Sequence, residues 1–357
     1  MEELLDPNYG PGHRAFVQSL LARGTMSYDE ARPVIAAIWT ALEAGACGAG
    51  ADDSREYAAA DVTEQYFLDY IDIARQAVSL FDYDIRTTLH QRTKKRVYVL
   101  VNTTSDPQTQ LATTYSPGEL SFIKRLLDAM FETYNTPRME VMALTQMQAM
   151  KLSRPAPSSS RRQSAQQNPQ DDDVEGGGGA AAVDRGLKHG EVEDVLASLV
   201  DGGWLERSRE KFYSLTPRGL LELRPWLVET YNDPDAEADE WQRVKFCVAC
   251  KDILTYGLRC ADPSCVFRLH DTCQDAFWRV HPGGRCPRCK KDWAGTSYVG
   301  ERAVTQTEAF QRGRRRPRPA AAASPRISHN GDDDDDDDDD DDEDEEGDAV
   351  PKTEDED

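Results

Sequence analysis

The sequence predicts an α+β chain of several domains: two helical segments that each run into a short β-hairpin, then a small metal-stabilised module, then a charged tail. Three observations carry that expectation. Apolar residues recur at helical spacing through most of residues 10–230 and switch to alternation twice. Seven of the eight cysteines fall between Cys247 and Cys289, with His270 paired to one of them. From Asp332 onward there are 15 Asp and 5 Glu against one Lys, a net of −19 out of the chain's −23. The body is therefore close to neutral, and no apolar run is long enough for a transmembrane helix.

The elements follow in order. Phe16, Val17, Leu20 and Leu21 make one apolar face. Ser27-Tyr-Asp-Glu30 is a capping box, in which a hydroxyl and a carboxylate satisfy the first free amides of a helix. Behind it Val34, Ile35, Ile38, Trp39 and Leu42 keep helical spacing, up to the glycine-rich break at Gly45–Gly50. Another helix carries Tyr66, Phe67, Tyr70, Ile71, Ala74 and Val78. Then the period drops to two. Ile85, Thr87 and Leu89 alternate, as do Val97, Val99 and Val101, on either side of the polar turn Arg92-Thr-Lys-Lys-Arg96. Helices followed by a two-stranded hairpin are the order of a winged helix, which we place at residues 1–115.

A second such domain is expected at 116–235. Ser116-Pro-Gly-Glu119 caps a helix with Pro117 in its first turn, followed by Phe122, Ile123, Leu126, Leu127, Met130 and Phe131. A short helix spans Thr145 to Leu152. Residues 153–185, rich in Ser, Arg, Gln, Asp, Gly and Ala, have too little apolar surface to fold and read as a disordered insertion. Val192, Val195, Leu196, Leu199 and Val200 form the next stripe. Trp204-Leu205 and Phe212–Leu215 flank a second hairpin turn, and Thr216-Pro-Arg-Gly219 opens one last helix through Leu220, Leu221, Leu223, Trp226 and Leu227.

Many winged helices place their third helix in the DNA major groove. Here that helix, Gly186 to Asp201, carries Glu191, Glu193, Asp194 and Asp201 against Lys188 and His189, the wrong sign for phosphate. A protein-docking role is the better expectation. Weak, nonspecific DNA contact is left to Lys94, Lys95 and Arg96 on the first hairpin. After Trp293 the apolar pattern fades. Residues 296–357 read as a disordered basic, then acidic tail, whose Arg312, Arg314, Arg315, Arg316 and Arg318 resemble a nuclear-import run.

The cysteine-rich segment, placed at 240–295, pairs its ligands as Cys247-x2-Cys250, Cys260-x4-Cys265, His270-x2-Cys273 and Cys286-x2-Cys289. Thiolate and imidazole are the ligands zinc prefers, and four close a structural site, so two zinc ions are expected. The four-residue gap inside the second pair forces adjacent sites to share backbone. That favours interleaving: Cys247, Cys250, His270 and Cys273 on one ion, Cys260, Cys265, Cys286 and Cys289 on the other. A segment this small has little core of its own, and the metal supplies the folding energy. A disulfide framework is the alternative, but Met1-Glu-Glu-Leu-Leu-Asp6 lacks the basic start and apolar run of a secretory signal, so reduced thiols are expected. Cys47 reads as an ordinary small side chain.

Four Cys, one His and three Cys suit either a PHD finger or a cross-braced variant RING. A PHD finger has an aromatic residue two places before its seventh ligand, where this chain has Gly284, so RING is preferred. A RING performs no chemistry itself and has no catalytic residue. It binds a ubiquitin-conjugating enzyme and holds the thioester-linked ubiquitin in a reactive pose. The docking groove would use Val248 and Ala249 between the first ligands, Phe277 and Trp278 after the sixth, Pro287 after the seventh, and Lys290 after the last. Ala249 is small for its place and would thin the groove.

The whole layout resembles one family, the non-structural maintenance of chromosomes element 1 homologues. The opening His13-Arg-Ala-Phe-Val-Gln-Ser-Leu20, the turn Tyr213-Ser-Leu-Thr-Pro-Arg-Gly219 and the ligand order are similar to that family over residues 10–295, outside the insertion. The resemblance implies the RING-type ubiquitin transferase subunit of the structural maintenance of chromosomes 5/6 complex. It implies a nuclear, chromosome-associated role in DNA repair and recombination. It also implies winged helices that bind a MAGE-type element 3 subunit, and the kleisin element 4 as a further partner. A non-catalytic scaffold in the same complex, or a PHD-type histone reader, are the alternatives.

Overall fold

The structure, a computed structural model, describes residues 6–47, 55–103, 114–155, 185–237 and 240–315. Most of the expected insertion, and the acidic tail, lie outside the described residues.

The first module runs α1 (Pro11–Arg23), β1 (Thr25–Ser27), α2 (Tyr28–Cys47), α3 (Glu64–Ser79), β2 (Tyr83–Leu89) and β3 (Arg96–Asn102). This is the expected order of helices running into a two-stranded hairpin. Ser27 and Glu30 form the capping box, with Ser27 N donating to Glu30 Oε2 at 2.8 Å and Glu30 N to Ser27 Oγ at 3.4 Å. The three strands are antiparallel in the order β1-β3-β2. β1 was not legible in the sequence, because three residues carry no periodicity and the strand exists only through its pairing with β3. Phe16, Leu20, Ile35, Phe67, Ile71 and Tyr98 form the core, with Phe67 edge-on to Tyr98 at 4.9 Å.

β3 is buried on both faces. Tyr98 and Leu100 point into the first module's core, whereas Val99 and Val101, 0% and 1% exposed, point away from it. The cover on that outer side comes from the second module, whose helix α7 (Pro217–Glu222) packs against β3. The alternating valines thus mark a junction between modules.

The second module repeats the order with α4 (Pro117–Asp128), β4 (Leu144–Thr145), α5 (Gln146–Lys151), α6 (His189–Asp201), β5 (Leu205–Arg207) and β6 (Phe212–Leu215), followed by α7. Its sheet order is β4-β6-β5. Ser116 and Thr145 cap α4 and α5 as their sequences direct. The exposed residues of α6 include Glu191, Glu193, Asp194 and Asp201, so its free face is acidic. The single helix expected after Thr216 is broken. It ends at Glu222, and α8 (Arg224–Tyr231) starts after Leu223. Pro225 is the cause, since it lacks an amide for the ladder and its ring crowds the preceding turn.

Gly24, at φ +70, sits where the modules meet. A Cβ there would lie 2.5 Å from Arg218 Nη1. Arg218 has little freedom to yield. Its Nε donates to Glu222 Oε1 at 2.8 Å, its Nη1 to Gly202 O at 2.8 Å, and it lies over the Trp204 ring. Gly24→Ala is expected to destabilise the protein by about 1–2 kcal/mol or more, from the left-handed backbone alone, read as a lower urea midpoint.

The cysteine-rich module contributes β7 (Gly257–Arg259), β8 (Arg268–Leu269), α9 (Asp271–Val280) and β9 (Tyr298–Val299). The strands are antiparallel in the order β8-β7-β9. β9 corrects the expectation that order ends at residue 295. It pairs with β7, and α10 (Arg302–Thr305) and α11 (Glu308–Arg315) follow. Ala303, Val304 and Phe310 pack against Val141, Ala143 and Phe212. The apolar residues of this stretch are too widely spaced to show a period; they are ordered by the surfaces they land on. One continuous apolar cluster runs from Tyr115 through the second module into Ile253, Phe267, Leu269 and Val299.

Candidate metal centre

Two loops of the same shape start the site. In Cys247-Val-Ala-Cys250, Lys251 N donates to Cys247 O and Cys247 N to Asp252 O, each at 2.9 Å. In Cys286-Pro-Arg-Cys289, Lys290 N donates to Cys286 O at 2.9 Å and Cys286 N to Lys291 O at 2.8 Å. Lys251 and Lys290 take left-handed φ values of 65° and 63°, which turn the chain back after the second sulfur. Each knuckle therefore aims two sulfurs at one point.

The other ligands complete two quartets, Cys247, Cys250, His270 and Cys273, and Cys260, Cys265, Cys286 and Cys289. Within each, the ligand atoms all lie within 4.8 Å of one another. Cys250 Sγ is 3.3 Å from His270 Nδ1, Cys260 Sγ 3.4 Å from Cys289 Sγ, and Cys265 Sγ 3.6 Å from Cys286 Sγ. Tetrahedral zinc with bonds of about 2.3 Å keeps its sulfurs about 3.8 Å apart. The residues therefore fit two zinc ions, in the interleaved arrangement. Burial, and after it the neighbouring sulfurs, pushes the Cys260 thiol up to about 12 and raises Cys265 and Cys273. Such groups become thiolates together only around a divalent cation.

The histidine is oriented from behind. His270 Nε2 lies 3.2 Å from Ile253 O. A carbonyl only accepts, so Nε2 carries the proton and Nδ1 keeps its lone pair for the metal. A second histidine in the stretch, His281, is not a ligand; it is exposed and stacks on Phe277 at 4.3 Å.

A buried ion pair ties the site to the second module. Glu140 lies in the loop before β4, is 0% exposed, and meets Arg268, 1% exposed, between the ligands Cys265 and His270. Arg268 Nε donates to Glu140 Oε2 at 2.7 Å, Trp241 Nε1 donates to Glu140 Oε1 at 3.0 Å, and Arg259 Nη1 is 3.4 Å from that oxygen. Burial alone would raise the Glu140 carboxyl, but Arg268, with Lys245 and Arg259, holds it below its usual range. Burial pushes the neighbouring Lys245 down to about 7; it donates to Arg243 O at 2.8 Å and covers the Trp241 ring at 3.8 Å. Sequence reading missed this network, since nothing marks Glu140 until the loop is placed.

The residues expected to dock a conjugating enzyme fall on both knuckles and on α9. Ala249 and Lys290 are exposed; Val248, Phe277, Trp278 and Pro287 are half-buried. Lys290 Nζ donates to Pro287 O at 2.7 Å. Phe277 and Trp278 pack round Phe267 at 5.4 and 6.2 Å, and Trp278 meets Trp293 at 5.4 Å. Val280, at the end of α9, is 74% exposed and was not singled out in the sequence. Gly284 is exposed at φ +62, and its carbonyl accepts from Trp293 N at 2.8 Å. The Cys47 side chain lies outside the described residues.

Residues 13–223 match the family model described as Nse1 non-SMC component of SMC5-6 complex, and residues 247–289 match a RING-like domain. The chain is 24% identical over 232 residues to non-structural maintenance of chromosomes element 1 of Schizosaccharomyces pombe, covering 65% of this chain and 79% of that protein. It is 21% identical over 225 residues to the Homo sapiens homologue, covering 63% and 68%. Among solved structures, a chain of an Nse1-Nse3-Nse4 complex shares the fold with a TM-score of 0.55 at 18% identity, over 81% of this chain and 99% of that one.

Proposed function

The chain belongs to the family of Nse1 non-SMC components of the SMC5-6 complex, and on that premise we propose that it is the complex's RING-type ubiquitin ligase subunit. The observation that carries this reading is the interleaving of the two quartets. The first ion's ligands tie the knuckle bearing Val248 and Ala249 to α9, so Phe277 and Trp278 follow one turn after Cys273. The second ion holds the knuckle bearing Pro287 and Lys290. When bound, the zinc ions supply structure only. The chain's own side chains do the work: an apolar surface binds the conjugating enzyme, and the Lys290 ammonium, freed from Pro287 O, bridges enzyme and ubiquitin. The thioester-linked ubiquitin is thereby held for attack by a substrate lysine, with no covalent step on this chain.

The winged-helix modules, with the acidic free face of α6, are assigned to partner binding. The solved neighbour is named for its complex with Nse3 and Nse4, and we assign the corresponding MAGE-type element 3 and kleisin element 4 as this chain's partners. The work is placed in the nucleus, on chromosomes, in DNA repair and recombination.

The test is autoubiquitination over a panel of conjugating enzymes, with and without the element 3 partner. Chains that form, strengthen with the partner and fade in Lys290→Ala support the ligase reading. Ala249→Ile is expected to raise activity about tenfold. The added carbons are worth about 0.8 kcal/mol each when buried, and docking buries them in part. No chains under any condition would sink the ligase reading. A second reading, a zinc-stabilised scaffold in the same complex, would then stand. It is favoured by Phe277 and Trp278, whose rings are engaged in covering Phe267.

A further inference from the structure

The turn between β2 and β3 of the first module reaches the cysteine-rich module at one point. Gln91 Oε1 accepts from Thr255 N at 3.0 Å and from Tyr256 N at 2.9 Å, and its Nε2 donates to Ile253 O at 2.9 Å. One amide thus satisfies three backbone groups of the loop after the first knuckle, and those partners fix which of its atoms is oxygen. Arg92, the next residue, pairs with Glu301 and lies over the Tyr256 ring. On the other side of the turn, His90 Nε2 is 3.1 Å from Glu206 Oε2 of β5.

Ile253 O is the same carbonyl that meets His270 Nε2. Its two lone pairs are divided between a zinc ligand and the first module. The space beside it is a cavity of about 300 Å³, lined by Leu89, Gln91 and Arg96 on one side and by Cys250, His270 and Cys273 on the other. Nothing comparable serves the second quartet. Among the described residues, no hydrogen bond from the first module reaches Cys260, Cys265, Cys286 or Cys289, or a backbone group hydrogen-bonded to one of them.

We propose that Gln91 is a positioning residue for the zinc ion held by Cys247, Cys250, His270 and Cys273, so that docking of the first module's hairpin controls how tightly that ion, and not the other, is kept. Gln91 sets the direction of the Ile253 carbonyl, which sets the ring plane of His270. The hairpin also forms one wall of the cavity that Cys250 lines. Undocking releases both restraints at once, whereas the four-cysteine site feels neither. The inference is independent of ligase activity.

The test measures zinc release from the full chain to a chromogenic chelator. Cobalt substitution assigns each phase, since a four-thiolate site gives stronger sulfur-to-metal bands than a three-thiolate, one-imidazole site. Loss of an outer-shell hydrogen bond typically weakens metal binding about 10–100-fold. Gln91→Ala is expected to speed release from the histidine-containing site by that order and leave the four-cysteine phase unchanged. Gln91→Glu keeps the acceptor for Thr255 N and Tyr256 N but turns an oxygen on Ile253 O. It should speed the same phase while the hairpin stays docked. Lys95→Ala, on the same turn but paired outward with Asp29 at 2.9 Å, should change neither phase. Unchanged kinetics in both Gln91 variants, or equal acceleration of the two phases, would overturn the proposal.

Discussion

Arg268→Met, with Glu140 left in place, is expected to lower folding stability by about 3–5 kcal/mol, the usual result of stranding one member of a buried pair. Glu140 would keep Arg259 Nη1 at 3.4 Å and Trp241 Nε1 at 3.0 Å, too little to hold a carboxylate out of water. Arg268 Nη1 also donates to Phe267 O at 2.9 Å, so the backbone between two zinc ligands loses a donor as well. Glu140→Leu alone should cost a similar amount by leaving Arg268 unpaired. The double variant should cost less than the two singles together, because neither charge is stranded against the other. Urea denaturation of the zinc-loaded protein measures all four states. Additive losses, or a single loss under about 1 kcal/mol, would show that the pair is solvated and does not join the modules.

Removal of zinc has the larger expected effect. Structural zinc supplies about 10–16 kcal/mol of apparent binding energy to small modules at neutral pH. Chelation, or Cys260→Ser, is therefore expected to unfold residues 240–300. From sequence alone both winged helices would be expected to survive intact. The shared apolar cluster changes that expectation. Leu227 and Tyr231 belong to the same buried cluster as Ile253 and Phe267, and Glu140 reaches across to Arg268. The second module should lose much of its protection along with the zinc module. The first module, whose core is a separate cluster, should remain folded. Hydrogen exchange resolves the two outcomes. Loss of protection in α4, α6 and α8 with retention in α1 and α3 agrees with the shared core. Full protection of α4 and α6 in the zinc-free protein would contradict it.

Local chemistry is what the sequence determined by itself. Ser27 and Glu30, or Ser116 and Glu119, close capping boxes within four residues, so neither needs the rest of the fold. The helices of both modules and their hairpins follow from periodicity, and the eight zinc ligands from spacing. Even the interleaving was legible, because a short linker limits which pairs can share an ion. The tertiary structure decided everything that depends on a partner distant in the chain. β1 and β9 exist only through the strands they pair with. Val99 and Val101 look like half of an ordinary amphipathic strand until α7 covers them. Glu140 and Gln91 look like solvated polar residues until loops far along the chain close over them. A lone carboxylate or amide carries no period and no motif. Its role is set by the low dielectric and the unsatisfied backbone groups that folding brings to it, and those belong to the assembled molecule.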